Sequence, residues 1–448
     1  MTVSSIAKKI IGVNSIVVEN MNLETTANGE QFVIRVRPWE RIQKRCSVCG
    51  KECPGFDRGK GLRRWRAPDF GSGVKTFVEA EAPRVHCPEH GVVVQQVSWA
   101  RTRSGFTKNF EDTAVWLSLH LSRKACAEYL RVSWDSVGPM ITRAEKELSE
   151  GHNRYDGLVR IAIDETSYKK GHEYLTLILN HDTNAVIWIG KGYGKAVLEQ
   201  FFAELTPEQR VTIRLVSGDG ARWIKDTVLA YCPGATFCID PFHVVSWCTE
   251  LLDAVRQEEW NKARAALAAE RKGQPKQGRG RPKGGKSAKT VAEQRVETVK
   301  AAKYPLLMNP NNLSENYKAK LQLILLRDPR LATAYRLKED LRLIFKLPLE
   351  EVSAAIEKWR RRAWSCRIPQ FVELQRKIKR HKIAILATIR YGISNARMEA
   401  TNNKVKLAVR MAYGFRNLDN LISTVSLRCG NLPVALPGHH PLASTHSL

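Results

Sequence analysis

The chain has 448 residues, 43% of them apolar, enough for two to four domains and at least one sizeable core. No apolar run reaches the length of about 18 residues that a membrane-spanning helix needs, and the N-terminus lacks the apolar core of a secretory signal, so a cytosolic protein is expected. Lysine and arginine number 72 against 45 acidic residues, a net charge of +27 that favours a polyanion and, without a lipidation motif, nucleic acid rather than a membrane surface.

In the N-terminal third, Val13 to Val18 and Gln31 to Arg37 alternate in polarity about the turn-like Ala27-Asn-Gly29, which predicts a small hairpin. Cys46-Ser-Val-Cys49-Gly50 follows, and later Cys87-Pro-Glu-His90-Gly91. Two residues between paired ligands let both reach one ion across a tight turn, and the next glycine permits that turn's left-handed backbone. The ten cysteines of a reduced chain are expected as thiols or metal ligands, so Cys46, Cys49, Cys87 and His90 predict a closed, structural zinc site, with Cys53 and His86 as spare ligands. Between the knuckles, Leu62 to Pro68 and Val74 to Val85 read as one β-ribbon that returns the second pair to the first. Its basic residues, Arg63, Arg64, Arg66, Lys75 and Arg84, suit DNA phosphates, although each fits a solvated face equally well.

From residue 109 the period becomes helical. Phe110 to Leu121, Ser122 to Leu130, a break at Val132 to Asp135, and Val137 to Leu148 behind a capping Ser136 make a helix-turn-helix pattern. Ser136 and Arg143 are then expected near bound DNA.

Leu158-Val-Arg-Ile-Ala-Ile-Asp164-Glu165 is an apolar, β-branched run that ends in acid and reads as a buried strand with a carboxylate at its mouth. Taken alone, Asp164 is as readily a turn cap. Strand signals at Tyr174 to Asn180 and Ala185 to Ile189 predict an antiparallel meander. A helix over Lys195 to Leu205, a strand Val211 to Ser217 ending in Gly218-Asp219-Gly220, and a strand Ala235 to Ile239 ending in Asp240-Pro-Phe-His243 complete the order βββαβαβα. That order is the one of an RNase H-like fold, in which the first strand lies beside the fourth and sets Asp164 next to Asp219. Adjacent carboxylates stay ionised only with a divalent cation between them, and two such ions activate water or a 3′-hydroxyl toward a phosphodiester. Asp240 competes with Asp219; the flanking glycines favour Asp219. A helix within 392–418, capped by Ser394, supplies Glu399 and Lys406 two turns apart on one face.

These residues carry a family resemblance. The knuckles, the helix-turn-helix, Asp164, Asp219, Asp240-Pro-Phe-His243 and above all Ser394-Asn-Ala-Arg-Met-Glu399-Ala-Thr-Asn-Asn-Lys404-Val-Lys406 through Ala412-Tyr-Gly-Phe-Arg-Asn417 resemble the DDE transposases of bacterial insertion sequences, ISL-three family, over almost the whole chain. The resemblance implies a catalytic triad of Asp164, Asp219 and Glu399 holding two Mg²⁺ or Mn²⁺ ions, and Lys406 as the basic residue that follows, with Lys404 and Arg410 on the same DNA-binding helix. It further implies double-stranded DNA as partner (element inverted repeats and target), further copies of the chain on that DNA, and a bacterial cytoplasmic or nucleoid location. Gly218-Asp219-Gly220 departs from the commoner Asp-Met and leaves Asp240 in play. A non-catalytic DNA-binding regulator and an RNase H-like nuclease that cuts without joining are the rival functions.

The expected division is a hairpin and finger domain over 1–98, the helix-turn-helix over 99–152, the catalytic domain over 153–430 with a helical insertion over about 248–390, and a loose tail over 431–448. Within the insertion, 271–290 is basic, lacks acids and is expected to be disordered; Arg279, Arg281 and Lys283 there resemble an AT-hook, with a non-specific basic linker as the alternative. Amphipathic helices are expected over Leu331 to Leu347 and Glu351 to Trp364.

Overall fold

The computed structural model describes residues 3–27, 29–71, 73–272, 289–393 and 396–434. The AT-hook candidates Arg279, Arg281 and Lys283 and the capping candidate Ser394 lie outside the described residues. Among the described residues no helix is long and apolar enough to cross a membrane.

Among the described residues, twelve strands form three sheets. The hairpin is longer than expected: β1 (Ile16–Thr26) pairs antiparallel with β2 (Gly29–Pro38). After β3 (Gly55–Asp57), β4 (Leu62–Phe70) and β5 (Val74–Glu81) form the ribbon, and the first sheet has the order β1-β2-β5-β4. Its core gathers Ile16, Ile34, Val36, Val78 and the edge-to-face pair Trp65 and Trp99, with ring centroids 5.5 Å apart. The ribbon expected over Val74 to Val85 breaks at Ala82-Pro83, since proline brings no N–H to a ladder. The chain beyond it, β6 (Arg84–Cys87) and β7 (Gly91–Val94), joins β3 in a separate sheet of order β3-β6-β7. The knuckles therefore sit on their own small sheet, and the ribbon belongs to the hairpin.

Helices Lys108–His120, Arg123–Leu130 and Trp134–Glu150 form the helix-turn-helix. Thr107 and Ser122 cap the first two; Arg131, at φ 53°, closes the second. The third begins one turn earlier than expected, after Ser133, so Ser136 lies inside its first turn and is not the cap. Phe110, Val115, Leu130, Val137, Met140 and Ile141 make its core, together with Leu427 and Leu432. Leu432, expected in the loose tail, is buried there.

The third sheet holds β8 (Arg160–Lys169), β9 (Glu173–Asn180), β10 (Val186–Lys191), β11 (Leu215–Gly218) and β12 (Thr236–Ile239) in the order β10-β9-β8-β11-β12. The first three make the expected antiparallel meander; β11 runs parallel to both β8 and β12. One face, with Ile161, Ile163, Phe201, Phe202 and Val216, shares a continuous core with the later helices. The other, with Ala162, Leu175, Leu177 and Leu179, is covered by Met398, Val405, Leu421 and Val425 of helices Ala396–Met411 and Leu418–Cys429.

Position 248, near the expected start of the insertion, lies inside one helix of 32 residues, Pro241–Lys272. Further on, Pro329–Ile344 and Leu349–Ser365 correspond to the two amphipathic stretches, and Pro369–Tyr391 returns the chain to the sheet beside β12.

Candidate active site and zinc knuckle

At the knuckles, Gly50 and Gly91 take φ values of 71° and 67°, the left-handed turns that the two motifs require. Cys46, Cys49, Cys87 and His90 converge with their ligand atoms within 4.8 Å of one another. Cys49 Sγ is 3.7 Å from Cys87 Sγ, and His90 Nδ1 is 3.7 Å from Cys46 Sγ and 3.5 Å from Cys87 Sγ. Zinc–sulfur bonds of about 2.3 Å give a tetrahedron with edges near 3.8 Å, so the four atoms already stand at the corners a zinc ion needs. Burial raises the Cys87 thiol, but the His90 side chain and the backbone N–H groups of Glu89 and His90 outweigh it and hold it at about 6, poised as the thiolate that binds metal. Cys53 is buried nearby with Sγ 3.3 Å from the Lys51 carbonyl, outside this group of four, and His86 points to solvent.

The three aspartates lie at the third sheet. Asp164 is not at a strand mouth: β8 continues past it to Lys169, with Asp164 opposite Leu177 of β9. Toward β11 the register is constant, Arg160 opposite Leu215 and Ala162 opposite Ser217, and continuing it sets Asp219 level with Asp164. Between β11 and β12, Gly218 stands opposite Ile239, which sets Asp240 level with Asp219. Asp219 and Asp240 each follow directly on the end of their strand, and extending both registers puts them level with Asp164 on β8. Strands lie about 4.8 Å apart, so Asp219 is one spacing from Asp164 and Asp240 is roughly 10 Å away. Asp240 is 7% exposed and its Oδ1 accepts from the Phe242 N–H at the helix start; Asp219 is half-buried, with Oδ1 accepting from Ala221 N at 2.7 Å.

Asp164 shares its face with Ala162, toward helix Ala396–Met411. Its Oδ1 accepts from Glu165 N at 2.8 Å and its Oδ2 from Asn402 Nδ2 at 2.7 Å. The buried stripe of that helix is Met398, Thr401, Val405 and Ala408; Glu399, Asn402, Lys406 and Arg410 share the adjoining face. Glu399 is one turn from Asn402, on the side of Asp164. Lys404 stands about 140° round the helix from Glu399, off the face that Lys406 and Arg410 share with it. All three cations are exposed.

Burial pushes the Asp164 carboxyl above its ordinary range; the Glu165 N–H, Asn402 and His243 oppose the shift, and Asp219 adds to it. Glu165 is pushed the same way by burial, against a bond from Gly194 N. Among the described residues, Asp164, Asp219 and Glu399 are not drawn into a group within 4.8 Å, as the knuckle ligands are. The three candidate residues nevertheless have the chemistry of a hard divalent site, since all are carboxylates, and Asn402 Oδ1, beside Asp164, is buried without a hydrogen-bond partner.

Three similarities bear on this arrangement. Residues 43–90 match the zinc-finger of the transposases of IS204, IS1001, IS1096 and IS1165. Residues 95–144 match the helix-turn-helix domain of transposase family ISL3. Residues 161–425, more than half of the chain, match the DDE transposase domain of that family. The chain is a transposase of the ISL3 family. It is 43% identical over 97% of both chains to the transposase for insertion sequence element IS1557 of Mycobacterium tuberculosis. It is 24% identical to the transposase for element IS1001 of Bordetella parapertussis, over 87% of this chain and 89% of that one. The transposase is accordingly an enzyme of DNA cleavage and transfer that carries a zinc ribbon, a DNA-binding helix-turn-helix and a DDE domain.

Several basic residues expected on DNA make ion pairs within the transposase. Arg143 donates from Nε to Glu111 Oε1 at 2.9 Å, and that carboxylate is fully buried. Arg66 is 6% exposed, bonded to Asp69 and Ala67 and packed over Phe110, so it ties the first sheet to the helix-turn-helix. Arg64 is paired with Glu79 at 2.8 Å and Glu24 at 3.1 Å. Each thus has a carboxylate partner within the protein, which composition conceals. Asn402, part of the helical motif, takes on a role through its contact with Asp164.

Proposed function

We propose that Asp164, Asp219 and Glu399 are the catalytic triad of an RNase H-like domain that binds Mg²⁺ or Mn²⁺, two ions per site, and cuts and rejoins DNA at the ends of its element. The strand order and the common level of Asp164 and Asp219 support the fold and the pairing. The observation that carries the reading is the Asn402–Asp164 bond, which ties the helix bearing Glu399 to the strand bearing the first acid.

When bound, divalent ions make water or a 3′-hydroxyl nucleophilic and offset charge on the departing oxygen. The chain's own residues position the rest. Asn402 orients Asp164, and Glu399 approaches from the helix. Lys406 and Arg410, two and three turns beyond Glu399 on the same face, hold the DNA backbone over the acids. Water oxygen adds to the end phosphorus as the bond to the 3′ oxygen breaks, which leaves a 5′-phosphate and a 3′-hydroxyl. That hydroxyl oxygen adds to a target phosphorus and displaces the target's 3′ oxygen. No protein atom is bonded to DNA at any stage.

Asp219 rather than Asp240 is the second acid, because it lies one strand spacing from Asp164 and is less buried. The zinc knuckle and helix-turn-helix bind the terminal inverted repeats, with Ser136 in the first turn of the recognition helix. The transposase works in the bacterial cytoplasm as a homo-oligomer that holds element ends together. Incubation with Mg²⁺, an element-end duplex and a target plasmid should yield nicked ends and joined products. Glu399→Ala should bind ends as before and produce neither; cleavage by that variant would reject the triad, and cleavage without joining by the wild type would favour the nuclease.

A further inference from the structure

We propose that Lys377, seated on the indole of Trp247 and flanked by His381, is a phosphate-gripping residue that the helical insertion brings to the cleavage site, where it holds a DNA phosphodiester next to the scissile bond. The proposal rests on the reading of Asp219 as a catalytic acid.

Lys377 and His381 are four residues apart on helix Pro369–Tyr391 and so share a face; Trp247 comes from helix Pro241–Lys272. Lys377 Nζ lies 3.5 Å from the Trp247 ring centroid, and the His381 ring is 5.7 Å from it. The indole in turn rests on Gly220, where a Cβ would meet its ring carbons at 2.3 and 2.5 Å. The missing side chain at Gly220 is what lets the ring lie against the residue next to Asp219.

This platform is cationic and under-neutralised. Lys377 makes no ion pair with a carboxylate among the described residues. Asp219 and Glu250 act on it only at longer range, and Arg380 adds charge of the same sign. Lys225 joins Lys377 and Arg380 around His381. Other lysines bond directly to an acid, such as Lys108 to Glu147 at 2.9 Å and Lys382 to Glu357 at 2.8 Å. An ammonium held half-buried on an aromatic face, beside an acid it does not touch, is organised for an anion from outside. Beside a phosphodiester-cutting acid, that anion is the DNA backbone.

The test pairs a protein variant with a neutralised phosphate. Element-end duplexes carrying a single methylphosphonate at each position flanking the cleavage site are cut by the wild type and by Lys377→Ala, with end binding followed separately. The expected result has three parts. One methylphosphonate slows the wild type about tenfold or more; Lys377→Ala slows the unmodified duplex comparably and is indifferent to that methylphosphonate; and Lys377→Arg recovers most of the rate. A Lys377→Ala variant that cuts at the wild-type rate would overturn the proposal. So would one that is slow yet as sensitive as the wild type to every methylphosphonate, since Lys377 would then merely balance the charge of Asp219. Cleavage by Asp219→Asn would instead strike down the underlying catalytic reading, whatever Lys377 does.

Discussion

Asn402 Nδ2 donates to Asp164 Oδ2 at 2.7 Å, a bond between side chains 238 positions apart in the chain. It joins the first acid of the candidate triad to the helix that carries the last. Because it favours the ionised carboxyl, it works against the burial that raises Asp164.

Asn402→Ala removes that donor. The Asp164 carboxyl should rise further, so the acid limb of the cleavage pH profile should move to higher pH and the plateau rate should fall about tenfold. Rates measured between about pH 5 and 9 would check this, with end binding unchanged. An acid limb at its original position would mean that Asn402 does not act through Asp164.

Asp164→Asn should stabilise the metal-free transposase while abolishing cleavage. A carboxyl raised in the fold adds stability below its ordinary range and loses it as pH rises through the raised value, so at neutral pH the ionised Asp164 costs stability. The variant should melt higher than the wild type at neutral pH by roughly 2 °C, corresponding to about 1 kcal/mol. The difference should vanish toward pH 3, where the wild-type carboxyl is protonated. Scanning calorimetry at both pH values decides it, and a variant that melts lower at neutral pH would refute the charge penalty.

Glu111 is a buried hub: it accepts from Ser104 Oγ at 2.7 Å, Arg101 at 3.1 Å and Arg143 at 2.9 Å. Glu111→Ala would leave a largely buried guanidinium, Arg101, with less compensation and should destabilise the helix-turn-helix by about 3 kcal/mol. Thermal melting and loss of end binding at 37 °C would report this. A variant as stable as the wild type would mean that the remaining acids near Arg101, Asp112 and Glu147, compensate for the loss.

Cys49→Ser should lower bound zinc from one equivalent toward none and weaken end binding, because a small three-stranded sheet buries too little apolar surface to hold without its metal. Metal analysis and a gel shift measure the two effects. Full zinc occupancy in this variant would point to Cys53 as a substitute ligand.

The amino-acid sequence by itself determined the local elements. The pairing of Cys-x-x-Cys with Cys-x-x-His, the helix-turn-helix and the run of strands around Asp164 were legible because each rests on spacings of a few residues, which turn geometry and side-chain period control directly. Boundaries were less secure where two tendencies compete: Ser133 and Ser136 are both able to cap, and only packing chose between them.

The tertiary structure decided the relations among distant residues. Charge counting could not separate Lys406, exposed on the acid face, from Arg143, bonded to a buried carboxylate, because a guanidinium's partner is set by the fold. For Asp219 and Asp240, both strand-end acids before a helix, the flanking glycines and the expected strand order already favoured Asp219, and the structure places β11, not β12, beside β8. Contacts such as Asn402 with Asp164 or Trp247 with Gly220 have no local signature, since each forms only when separate elements pack against one another and exclude water between them.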